Sequence, residues 1–65
     1  MNYRAVKSNE SNLCLAIGID ENQANADYNG IGTWCNFTFS EIPQIAGQDC
    51  HHEIIDNTIV AVLNT

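Results

Sequence analysis

Leu13-Cys14-Leu15-Ala16-Ile17-Gly18-Ile19 is the stretch on which the fold reading turns. Large apolar side chains at 13, 15, 17 and 19 alternate with small ones at 14, 16 and 18. A period of two sends successive side chains to opposite faces of a strand, so the pattern predicts β structure rather than helix. The bulky face is expected in the core, and the small face would let a second layer approach closely. With no polar residue in the run, an interior strand is predicted. Upstream, residues 2–7 read as a strand, and Ser8-Asn9-Glu10-Ser11-Asn12 as the polar turn that joins the two into a hairpin.

Downstream, residues 20–30 (Asp-Glu-Asn-Gln-Ala-Asn-Ala-Asp-Tyr-Asn-Gly) are polar and end on the turn pair Asn29-Gly30. A loop is expected there, with a short helical turn at 21–27 as the competing reading. Residues 31–39 are predicted as a strand with Ile31, Thr33, Cys35, Phe37 and Phe39 on one face and Trp34, Asn36 and Thr38 on the other. Each buried aromatic there contributes about 150–250 Å². Ser40-Glu41-Ile42-Pro43 reads as a helix start capped by Ser40, ending before Gly47. Residues 50–55 and 58–63, separated by Asp56-Asn57, fit a two-residue hairpin, since both residue types tolerate positive φ. An interrupted helix over 41–55 competes with it. Residues 58–63 are β-branched and apolar on both faces, which predicts a buried central strand. The sum is one small α+β domain over residues 1–65, mostly antiparallel β. It is expected as a single small sheet or partial barrel of four to five strands with one or two short helices.

Charge is distributed unevenly. Arg4 and Lys7 are the only Lys or Arg, while all eight carboxylates (Glu10, Asp20, Glu21, Asp27, Glu41, Asp49, Glu53 and Asp56) follow them, giving a net charge of −6. Phosphate contacts need several basic side chains, so direct nucleic-acid binding is disfavoured. Anionic membrane surfaces are disfavoured for the same reason. No run approaches the roughly 18 apolar residues of a membrane span, and no apolar stretch follows Arg4 as a signal peptide would require. Three cysteines, an odd number, read as free thiols in a reducing cytoplasm.

Cys50-His51-His52-Glu53 is the one cluster of potential ligands or catalytic groups. On a strand, Cys50 and His52 share a face, so Cys14 and Cys35 from other strands would have to complete a tetrahedral zinc set. The spacing matches no paired-cysteine pattern. A Cys/His nucleophile is disfavoured too, because adjacent strand residues point apart and no third orienting group is evident. Residues 20–31 match a calcium loop in composition only, since Asn25 and Ile31 stand where glycine and glutamate are required. Neither cofactor nor enzymatic activity is expected.

In size and charge, though in no motif, the chain resembles phage-encoded inhibitors of host defence and bacterial immunity proteins. The single-sign charge from Ser8 onward and the want of a convergent catalytic set imply a small non-enzymatic binding protein that inhibits or modulates a basic protein, such as a nucleic-acid-processing enzyme or complex. Asp20, Glu21, Asp27, Tyr28 and Trp34 are the candidate contact residues. The alternatives are a structural-zinc module using Cys14, Cys35, Cys50 and His52, and an accessory subunit or homo-oligomer that hides an exposed strand edge.

Overall fold

The computed structural model describes residues 2–64. The elements run β1 (Ala5–Ser8), β2 (Cys14–Ile17), α1 (Glu21–Asp27), β3 (Gly32–Trp34), β4 (Cys50–Ile55) and β5 (Thr58–Leu63). All named pairings are antiparallel, in a three-stranded sheet of order β2-β1-β3 and a two-stranded sheet β4-β5. The mostly-β α+β class therefore holds, but the strands form two sheets rather than one. A seam joins them: Leu13 bridges Glu53, and the Ile54 N–H donates to the Asn12 carbonyl at 2.7 Å. One isolated bridge thus ties the residue just before β2 to β4, and the two sheets share no continuous ladder.

The predicted first hairpin forms, yet in the three-stranded sheet the middle position belongs to β1 and β2 lies at an edge. Ala5 and Val6 are wholly buried, whereas every residue of β2 is only half-buried and Leu13 is 40% exposed. The alternation across 13–19 does not survive intact. Ile17 pairs with Ala5 and Ala16 with Val6, but Cys14 pairs with Lys7, so Leu15 is the extra residue of a bulge. Leu15 lies on the face of Val6 and Gly32, where a Cβ on Gly32 would stand 2.9 Å from Leu15 Cδ1 and 2.6 Å from Val6 Cγ1. Ile17 lies on the opposite face, with Ala5. The bulge reverses the phase of the pattern.

Residues 21–27 are a helix, not the expected loop. Asp20 is its N-cap, accepting from the Gln23 N–H at 2.7 Å, and Ala24 is buried where α1 meets β3. The Tyr28 carbonyl then accepts from Ile31 and Gly32 at 3.1 and 2.9 Å and turns the chain into β3. That strand is shorter than predicted. After Cys35 donates to the Ala5 carbonyl, the next pairing is Phe39 with Tyr3, so residues 36–38 loop outward. Phe39 stacks on Tyr3 at 5.7 Å between centroids, with Phe37 at 6.3 Å from Phe39.

The expected helix from Ser40 does not form; residues 40–49 are irregular. Pro43 pushes Ile42 out of the helical region, and its own carbonyl is held by His52 Nε2 at 2.7 Å. Gly47, at φ +73°, then closes a turn in which Gln48 donates to the Ile45 carbonyl. The β4-β5 hairpin forms as read, with Asp56 and Asn57 at φ +53° and +62°. Its pair Ile54 and Ile59 completes the core. The expectation of a central final strand fails: β5 lies at the sheet edge, with Thr58 and Leu63 exposed.

Candidate protein-interaction site

The acidic residues singled out at 20–27 sit on α1 and its cap. Asp20, Glu21 and Asp27 are all exposed. Asp20 and Glu21 stand at the helix start, where the backbone N–H groups favour negative charge. Asp27 is a helix length away, about 10 Å for seven residues, and accepts from Gln23 Nε2. Tyr28 is half-buried and serves as the C-cap, its N–H donating to the Ala24 carbonyl at 2.8 Å.

Trp34 adjoins the start of this helix. Its indole N–H donates to the Ile19 carbonyl at 2.9 Å, and the Arg4 guanidinium lies 4.8 Å from the ring centroid. One shallow groove is lined by Asp20, Arg4, Ile19 and Trp34, and another by Glu21, Lys7, Thr33 and Trp34. Asp20, Glu21 and Trp34 therefore converge, while Asp27 and Tyr28 occupy the far end of α1. Trp34 is half-buried with its polar atom committed, so it walls the acidic patch and is no free anchor. The roles of Arg4 and Ile19 carry no sequence signal. The helix start does: Asp20 followed three residues later by Gln23 is a capping pattern.

Both cations are engaged locally. Arg4 covers Trp34, and Lys7 Nζ donates to the Ser8 carbonyl at 3.2 Å. Among the described residues the one ion pair is His51 Nε2 with Glu53 Oε2, at 2.8 Å. His51 Nδ1 meets Asn64 Oδ1 at 2.6 Å. Because both ring nitrogens face oxygen acceptors, Glu53 first and Asn64 second push the His51 pKa above its ordinary value.

The zinc alternative is not assembled. Among the described residues no three His, Cys, Asp or Glu side chains gather as a metal site, and His52 is tied to Pro43 rather than to Cys50. Cys14 and Cys35 flank β1 on opposite sides, so two strand spacings, about 9.5 Å, separate them. That exceeds the reach of a disulfide. Burial pushes both thiols upward, which disfavours the nucleophilic thiolate.

No protein-family model, curated protein or solved structure shows a significant match to this chain. No helix among the described residues is long and apolar enough to cross a membrane.

Proposed function

We propose that this chain is a small non-enzymatic binding protein that inhibits or modulates a basic protein partner through the acidic end of α1. One observation carries the reading. Seven of the eight carboxylates are exposed, and none of those seven has a cationic partner within ion-pair distance among the described residues. Such a field steers cationic surfaces toward the molecule and makes the encounter salt-sensitive. Asp20 and Glu21, beside the Trp34 wall, form the centre of the contact, with Asp27 and Tyr28 extending it along the helix.

The test is affinity capture from the native host at about 50 and 500 mM NaCl, across which the screening length shortens several-fold. The wild type is compared with a variant carrying Asp20→Lys, Glu21→Lys and Asp27→Lys. The reading expects a basic protein that is retained at low salt and lost at high salt and with the reversed charges. A partner indifferent to both overturns it.

A further inference from the structure

We propose that Asn29-Gly30 is a site of spontaneous covalent modification, at which the folded chain converts to isoaspartate and loosens the turn between α1 and β3. The reactants are the chain itself and water. The Gly30 backbone nitrogen bonds to Asn29 Cγ and the side-chain nitrogen leaves as ammonia, carrying the proton that the Gly30 N–H gives up. A five-membered succinimide ring results. Water then opens the ring at one of its two carbonyls, and neither step oxidises or reduces anything. Opening at Cγ leaves aspartate. Opening at the α-carbonyl leaves isoaspartate, in which the main chain runs through Cβ and Cγ and is one carbon longer.

The attacking atom is always the nitrogen of the next residue, so what that nitrogen already does decides which asparagine reacts. After Asn2, the Tyr3 N–H donates to the Phe39 carbonyl at 2.8 Å. After Asn9, Asn12 and Asn22, the N–H groups of Glu10, Leu13 and Gln23 donate to Ser8 Oγ, Ser11 Oγ and Asp20 Oδ1. Ala26 follows Asn25 inside α1, and Thr58 follows Asn57 in register with Ile55. Asn36 precedes Phe37, whose ring crowds closure. Gly30 differs from all of these. Its N–H reaches no acceptor among the described residues, and a Cβ built on it would meet nothing within 4 Å. Asn29 and Gly30 are both exposed, so water reaches the ring.

The position of the pair gives the modification its effect. The Tyr28 carbonyl accepts from both Ile31 and Gly32, at 3.1 and 2.9 Å, and Asn29-Gly30 lies inside the loop those bonds close. A further main-chain carbon lengthens that loop. Gly32 cannot shift to absorb it, because Val6 and Leu15 pack against it closely. The new carboxylate also adds one negative charge to the −6 of the chain. It does so just past the C-terminal end of α1 and near Asp27, where the helix carbonyls disfavour an anion. None of this requires a partner at α1.

The purified chain is aged for days at neutral pH, with and without urea, and sampled by mass spectrometry with electron-transfer fragmentation, which distinguishes isoaspartate from aspartate at each position. Asn29 should convert at least an order of magnitude faster than any other asparagine, with isoaspartate the larger product. Its rate in the folded chain should lie within a few-fold of the rate in urea, since the fold leaves the Gly30 N–H free. Asn29→Gln, which would need a six-membered ring, should abolish the reaction. The isoaspartyl fraction, separated by ion exchange, should melt below both the fresh chain and Asn29→Asp, which adds the charge without the extra carbon. An Asn29 that survives in the folded chain while it converts in urea overturns the proposal, as does faster conversion at another asparagine. An isoaspartyl fraction that melts with Asn29→Asp overturns the loosening of the turn.

Discussion

At Gly32 a methyl group would stand 2.6 Å from Val6 Cγ1 and 2.9 Å from Leu15 Cδ1, closer than carbon atoms pack. Val6 is wholly buried, so it has nowhere to yield. Gly32→Ala should accordingly cost about 1–3 kcal/mol, the range for overfilling a packed site. Urea unfolding checks this, and a midpoint within error of the wild type would show that the sheet gives way freely. His51 makes a second prediction at the same scale. Its folded pKa lies above the unfolded value because the imidazolium donates to both Glu53 and Asn64. The linked stability is therefore fully present below the unfolded pKa, about 6.5, and is lost as pH rises through the raised folded value. Following the His51 ring proton by NMR should give a midpoint above the ordinary one, and Glu53→Gln should move it back down.

Helix α1 tests whether one side chain holds the fold and binds the partner at once. Asp20→Ala removes both the cap and a charge, so it should cost about 1 kcal/mol of stability and weaken capture of a basic protein. Asp20→Asn keeps a capping oxygen, so thermal melts should barely change while binding still falls. Equal destabilisation by the two variants would show that charge, not the cap, anchors the helix. This element also shows where the sequence is legible. The hairpin at Asp56-Asn57 is readable because two adjacent residues suited to positive φ leave one turn geometry. The first hairpin is readable as a pair but not in its facing, since nothing in Leu13–Ile19 announces the bulge at Leu15. Residues 20–30 look like a loop by polarity, yet the cap at Asp20 and the buried methyl of Ala24 make a helix. The helix expected at Ser40 fails at the Ile42-Pro43 step, since a residue before proline disfavours the helical region, and His52 Nε2 holds the Pro43 carbonyl instead. At the candidate site the carboxylates are visible in the sequence; the placing of Trp34 beside Asp20 and Glu21 depends on Arg4 and the Ile19 carbonyl, which only the fold brings near.

For the molecule as a whole, repulsion and a thin core act together. Among the described residues the wholly or nearly buried apolar ones are Ala5, Val6, Ala24, Ile54 and Ile59, mostly small side chains. The accessible surface is 4462 Å², against about 4,100 Å² expected for a folded chain of this mass. A domain with so little buried is sensitive to its own charge, and −6 with a single ion pair among the described residues leaves the carboxylates repelling one another. Raising NaCl from about 0.01 to 1 M shortens the screening length from roughly 30 to 3 Å. The melting temperature should therefore rise, and a gain on the order of 1 kcal/mol corresponds to about 4–8 °C for a domain of this size. A variant with Asp20→Asn, Glu21→Gln and Asp27→Asn should respond less steeply, which separates charge screening from a general salt effect on apolar burial.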